Sequence, residues 1–347
     1  GIVVNPIAAG WCVDHDSRRI AIIGSFLAAI PCFLLTYFAW SDGLQVVELL
    51  VFVFIGSIGN NIASSAVGVI EPTVVPAEYK RQAIGLSSVA YNSARVLGAI
   101  GGGLVTDYIG APAAFALNGL SYVPIVISVL IIPKAIVALA TPQRHKVARG
   151  LVEGTKAIRK SAALWSAFAG FITYFLLVAP IQWLLPVIAS DHGLTAAMVG
   201  YLGAAFASGA LVMSFYSGRI PPSKTDNVRS FGLLVAAFAM VGVSLLDSLL
   251  GDLLSLFILG IAWDLCWTLT RCRVQLDAAA ELSRPLFGIF FSLGYLAPTL
   301  GSLLLGFMID QSGLNGSLLV VAVVLLLAAV WGWMSHRHHL RLAAGTG

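Results

Sequence analysis

The chain has 347 residues, of which 59% are hydrophobic and 10% charged, and its formal net charge is +4. A soluble domain carries about 25% charged residues, so this composition excludes a soluble globular protein and describes an all-α, polytopic membrane protein. At ~20 apolar residues per span, the chain accommodates about ten complete helices and a partial one.

The first apolar run, residues 1–13, is too short for a span and reads as the second half of one. The chain opens without an initiator Met and without a cleavable signal peptide, so an N-terminal portion is expected to be missing. A polar turn at 14–19 follows, then spans at 20–40 and 45–69; the latter carries Glu48 near its start and Asn60 and Asn61 deeper in. The next span, 84–106, contains Arg95, and 112–132 brings the chain back. Residues 134–163 form the longest polar segment, with seven Lys or Arg, and 149–160 sets apolar residues against charges as a helix lying on a membrane surface would. Six further spans are expected at 163–188, 196–217, 230–246, 250–270, 285–309 and 317–334, before a tail with His336, Arg337, His338 and His339.

Every Lys and Arg except Arg95 falls in the polar stretches 14–19, 76–82, 134–163, 219–229 and 271–284 or in the tail, while the alternate loops hold none. By the positive-inside rule the basic loops and the C-terminus are cytoplasmic. The four cysteines, Cys12, Cys32, Cys266 and Cys272, lack CxxC spacing and read as small packing residues. No metal-ligand spacing, nucleotide loop or catalytic triad occurs, so no cofactor or metal is expected. The basic residues follow topology rather than forming a nucleic-acid patch. The tail histidines read as a solvated basic end or as a metal site.

Two intramembrane charges stand out. Tyr91, Arg95, Gly98 and Gly102 fall on one helical stripe. Glycines so spaced admit a second backbone closely. An arginine facing lipid costs at least ~2.5–3.5 kcal/mol, so Arg95 is expected to face protein or water. It would bind an anionic substrate, hold a carboxylate, or lock backbone carbonyls. Asp264, between Trp263 and Leu265, is either a proton-coupling carboxylate or a structural hydrogen-bonding group at a helix contact. Glu48 reads as a headgroup-level acid or a coupling residue, and Asn60 and Asn61 as cavity-lining or helix-bridging. Trp165, Tyr174, Phe175, Trp183, Trp263 and Trp267 read as packing or as a pocket for an aromatic substrate. Residues 103–110 (Gly-Leu-Val-Thr-Asp-Tyr-Ile-Gly) resemble 306–313 (Gly-Phe-Met-Ile-Asp-Gln-Ser-Gly), which points to a duplicated bundle.

Residues 10–19 resemble the cytoplasmic signature between helices two and three of the major facilitator superfamily of secondary transporters: Gly10, Asp14, Arg18 and Arg19 match, with His15 and Ser17 as departures. Residues 98–103, which include Gly98, Gly102 and Gly103, resemble the fifth-helix signature of its proton-coupled exporters, with Ala99 in place of proline. The run Pro72 to Pro76, then Asn92, Arg95 and Gly98, then residues 115–118, is similar to the subgroup of enterobactin-type siderophore exporters and macrolide efflux pumps. The resemblance implies a major-facilitator-type two-bundle fold of twelve helices, of which the first and half of the second are absent here. It also implies export by proton antiport and alternating access, with Gly10, Asp14, Arg18 and Arg19 gating the cytoplasmic side.

The resulting expectation is an N-terminal bundle over 1–133, a cytoplasmic linker over 134–163 and a C-terminal six-helix bundle with a short tail over 164–347. The function expected is a secondary active transporter of the inner membrane, exporting small amphipathic molecules of siderophore or macrolide type. Its partners would be that substrate, protons and the lipid bilayer, and it is expected to be monomeric. Arg95 and Asp264 are expected to pair in one conformational state. The alternative is a truncated, non-transporting membrane protein; an intramembrane enzyme would need a catalytic pair, and none stands out.

Overall fold

The computed structural model describes residues 4, 8, 11, 15–41, 43–74, 76, 79–133, 147–191, 193, 195–217, 220–221, 224–246, 248–277 and 280–345. Among the described residues the chain is helical and no strand occurs. The helices are α1 (Ser17–Trp40), α2 (Val46–Val74), α3 (Lys80–Tyr108), α4 (Ala111–Leu120), α5 (Val123–Ile131), α6 (Val147–Lys160), α7 (Ala162–Leu177), α8 (Ile181–Asp191), α9 (Ala196–Ser217), α10 (Thr225–Leu245), α11 (Leu249–Asp277) and α12 (Ala280–Gly345). Eight helical stretches among the described residues are long and apolar enough to cross a membrane, one of them the 47-residue Gly288–Met334. That stretch holds two expected spans: α12 is broken at Gly313, whose φ of 70° is a left-handed conformation that glycine adopts without a Cβ penalty. The Arg95 helix α3 has 29 residues, ample for a span, but is less apolar than the other long helices. The first stretch of the expected linker, 134–146, lies outside the described residues.

Two expected spans are split near a proline. Pro124 has no N–H for the carbonyl of Leu120, and the chain turns at Ser121–Tyr122 between α4 and α5. Pro180 likewise leaves the carbonyl of Leu176 without its helical donor. There α7 gives way to α8 through a tight turn in which Ile181, Gln182 and Trp183 donate to the carbonyls of Val178, Ala179 and Pro180. This break is covered by protein: Val178 and Ile181 are fully buried, and Gly301 of α12 lies so close that a Cβ there would strike the Leu176 carbonyl. Non-helical backbone at membrane depth is tolerated only where protein or a cavity surrounds it.

Contacts divide the chain into two compact units: Gly1–Ser87 with Gly101–His145, and Ser88–Ile100 with Lys146–Gly347. The middle of α3, with Arg95, therefore belongs by contact to the second unit. In the first unit α1 and α2 meet where neither backbone carries a side chain. A Cβ on Gly24 would lie 2.9 Å from the Gly59 carbonyl oxygen, and one on Gly59 2.7 Å from that of Gly24. Lipid gives helices no hydrophobic reason to associate, so van der Waals closeness of this kind supplies it. The second unit has a reciprocal seam between α9 and α11, where a Cβ on Gly209 would strike the Phe257 carbonyl and one on Gly260 the Phe206 carbonyl. Its core is aromatic: Phe168, Phe171, Tyr174 and Phe175 of α7 are buried with Phe206 and Phe290. The amphipathic α6 docks on this core through Ile158, leaving Lys156, Arg159 and Lys160 exposed.

Candidate substrate site

Arg95 is half-buried, and what holds it comes largely from other helices of the second unit. Its Nη2 donates to Oε1 of Gln182 at 2.6 Å. Gln182 lies in the first turn of α8, directly after the Pro180 break, so the interruption of the helix delivers this amide to the arginine. Three rings surround the guanidinium carbon: Trp263 at 5.7 Å, and Tyr91 and Phe206 each at 5.9 Å from the ring centroid. Each aromatic face attracts a cation, by about 0.5–1 kcal/mol when exposed and more when dry. Among the described residues no carboxylate pairs with Arg95, so its charge is held by rings and one neutral amide. The rings extend inward as a continuous cluster, with Trp263 4.4 Å from Phe175 and Trp267 4.7 Å from Phe290 between centroids.

Asp264 is the neighbour of Trp263 but faces elsewhere. Successive residues of a helix point about 100° apart, so with Trp263 turned to Arg95 the carboxylate turns away. It is 7% exposed, its Oδ1 accepts from the Thr268 hydroxyl at 3.3 Å, and the Ser217 hydroxyl at the end of α9 also approaches it. Its Oδ2 has no hydrogen-bond partner among the described residues. Nor does any ion pair among them join Asp264 to Arg95 in this conformation.

Residues 2–343 match the family described as transmembrane secretion effector, within the major facilitator superfamily. The chain belongs to this family. It is a multi-pass membrane transporter of that superfamily.

The transporter is 23% identical over 334 residues to macrolide efflux protein A of Streptococcus pyogenes, covering 93% of this chain and 81% of the relative. It is 26% identical over 242 residues to macrolide efflux protein A of Enterococcus faecalis, covering 69% and 73%. Among solved structures, a POT family transporter in complex with 5-aminolevulinic acid superimposes with a TM-score of 0.73 at 14% identity, covering 97% of this chain and 85% of that one. A bacterial homologue of the human lysosomal transporter Spinster, inward-facing and occupied, gives 0.66 at 16% identity, covering 96% and 85%. At these identities the structural likeness concerns the fold.

The other residues singled out in the transporter's sequence are dispersed. Glu48 caps α2, its Oε2 accepting from the Gln45 N–H at 3.1 Å. The Asn61 amide donates to its own helix at Ser57, 2.7 Å away, while Asn60 accepts from the Tyr122 hydroxyl at 3.3 Å. Arg18 binds the last carbonyls of α5, Nε to Val129 at 3.0 Å and Nη2 to Leu130 at 2.9 Å, where a cation suits the helix C-terminus. Arg19 is exposed. Gly10, Asp14 and Cys12 lie outside the described residues, as do the side chains of the tail histidines. Cys32, Cys266 and Cys272 are free thiols. An added Cβ at Gly98 or Gly102 would meet nothing within 4 Å, whereas close helix approaches in this conformation occur at Gly24, Gly59, Gly209, Gly260 and Gly301, among others. Trp165 and Trp183 point outward, 51% and 70% exposed, whereas Tyr174 and Phe175 are fully buried.

Sequence reasoning missed a second charged group. Asp226, at the start of α10, bridges two arginines: Arg229 at 3.0 Å and Arg273 of α11 at 2.8 Å. Arg229 is 2% exposed and also donates to the Ser166 hydroxyl at 2.8 Å, its side chain lying across α7 where Gly170 leaves room. Counting Arg229 and Arg273 as loop charges hid this cluster; the acid three residues before a base at a helix start was its visible sign. Gln182 was missed as well, and its sign was an amide two residues after a proline inside an apolar run.

Proposed function

We propose that this transporter is a secondary active exporter of small amphipathic molecules, of siderophore or macrolide type, driven by proton antiport through alternating access. The observation that carries the reading is the guanidinium of Arg95, balanced by no carboxylate among the described residues and seated among Trp263, Phe206 and Tyr91. A charge so placed is costly unless a ligand uses it, and aromatic walls with a few convergent polar groups are the usual lining of a small-molecule site. The macrolide efflux proteins it resembles support export as the direction.

Asp264 is the proposed proton carrier. It is buried with one oxygen that accepts no hydrogen bond among the described residues, and a proton taken up there neutralises a charge held away from water. In another conformational state it pairs with Arg95, and protonation releases the arginine to substrate or water. Gly10, Asp14, Arg18 and Arg19 bias the cytoplasmic closure, and Gly98, Gly102 and Gly103 form a packing seam used in a different state. The protein works as a monomer in the inner membrane with its C-terminus in the cytoplasm, on the side of the basic loops.

The test is transport into everted vesicles carrying the transporter, with a labelled macrolide and a labelled catecholate siderophore. Uptake should follow an imposed proton gradient and stop with a protonophore. Asp264→Asn should retain substrate exchange and lose the response to the gradient. Uptake that persists without a gradient, or a gradient response intact in Asp264→Asn, rules out the coupling proposed here.

A further inference from the structure

We infer that the Arg95–Gln182 pair forms a charge-selective subsite that takes the oxyanion of an aryl amphiphile, with Gln182 holding its place when the site is empty. The inference rests on the reading of this region as the substrate site and narrows its ligand, within that reading, to the anionic siderophore type over the cationic macrolide type. Gln182 becomes a specificity-determining residue.

A guanidinium has five N–H donors in a planar fork. Among the described residues Arg95 spends one hydrogen bond, to a neutral amide oxygen. Rings at 5.7–5.9 Å satisfy its faces electrostatically, but they accept little from the in-plane N–H edge. The site therefore keeps a whole positive charge with unused donors beside a buried aromatic wall. An oxyanion answers both deficits, because charge-assisted hydrogen bonds to a guanidinium are often bidentate and about twice as strong as neutral ones. The ring beside that oxyanion finds the half-buried Trp263 and the exposed Tyr91 as stacking partners. A ligand cation meets the opposite: Arg95 repels it, and the buried carboxylate of Asp264 is turned toward Thr268 and Ser217.

Gln182 Oε1, 2.6 Å from Nη2, marks where one ligand oxygen would sit. A neutral amide is a weaker acceptor than a carboxylate, so an anion displaces it; a glutamate there would not be displaced. The same position thus sets the charge preference of the site.

The experiment titrates the transporter, in nanodiscs of zwitterionic lipid, with three probes that share one ring: 1-naphthoate, 1-naphthylmethanol and 1-naphthylmethylammonium. Calorimetry should show saturable naphthoate binding about tenfold or more tighter than the alcohol, the scale of a charged hydrogen bond, and weakest binding of the ammonium. Arg95→Gln should abolish the preference. Gln182→Glu, which keeps the hydrogen bond and so the fold, should lose naphthoate by a similar factor and equalise the ammonium; a monodisperse elution profile certifies each variant. Absence of saturable naphthoate binding, an ammonium preference in the unmodified protein, or an unchanged ranking in Gln182→Glu overturns the inference. Binding in nanodiscs needs no turnover: a charge-selective site without vesicle transport removes the export reading alone, and transport without charge selectivity removes this inference alone.

Discussion

Trp263 and Asp264 are adjacent on α11 and serve different partners: the indole lies 5.7 Å from the Arg95 guanidinium, while the carboxylate accepts from Thr268 at 3.3 Å. One helix thus carries, side by side, a ring that faces Arg95 and a carboxylate that does not. A turn of α11 about its axis by roughly 100° would exchange which of them faces Arg95.

On the proposed mechanism Arg95 and Asp264 are separable in binding and joined in transport. Arg95→Ala and Asp264→Ala should each lower transport, and the double variant should do no worse than the poorer single one, because a lone buried charge is costlier than none. Initial rates for the three variants in vesicles test this. Strict additivity sinks the proposed pairing.

Asp226 holds Arg229 and Arg273 together. Asp226→Ala leaves two largely buried arginines without their shared anion, and should cost about 3–5 kcal/mol of stability. Adding Arg229→Met should recover part of that loss. Thermal unfolding in one detergent, for both variants, provides the comparison; equal midpoints for unmodified protein and Asp226→Ala would deny the cluster a structural role.

The glycine seams predict opposite outcomes for similar substitutions. Gly260→Ala drives a methyl into the Phe206 carbonyl and should destabilise by about 1–3 kcal/mol. Gly102→Ala has open space and should leave stability unchanged or raise it by up to ~1 kcal/mol, since alanine favours the helix. If Gly102 packs in another state, transport slows in that variant although its unfolding midpoint does not fall.

Arg18 should matter to the first unit through backbone, not only through any gate. Arg18→Ala removes two hydrogen bonds to the end of α5, at about 1–3 kcal/mol. Hydrogen exchange of the amides at 126–131 should rise in this variant. Unchanged protection there would assign Arg18 no capping role.

Sidedness is checked by cysteine labelling. Ser190→Cys should react with an impermeant thiol reagent from outside in intact cells, and Ser161→Cys should react only after permeabilisation. The reverse pattern refutes the proposed orientation.

The helical, membrane-spanning class was legible in composition and hydropathy, which are local sums that need no partner. The family was legible in short motifs at 10–19 and 98–103. Even the split at Pro180 had a visible cause, although the residue it delivers, Gln182, did not announce itself. Arg95 was conspicuous because one charge in an apolar helix has no local explanation. The Asp226 cluster was not, because its arginines resemble ordinary basic loop residues until α7, α10 and α11 are packed together.

Residue order alone sets where the apolar helices run, where they turn, and that Arg95 and Asp264 lie within them. Packing sets the rest: that Arg95 meets Gln182 and three rings, that Asp264 turns toward Thr268, and that Gly209 and Gly260 form a close seam while Gly98 and Gly102 face open space. The physical reason is that lipid erases the signal that identifies a buried face in water. Where both sides of a helix are apolar, periodicity no longer marks the inside, and the rotation of each helix is set by close packing and polar contacts with neighbours distant in the chain.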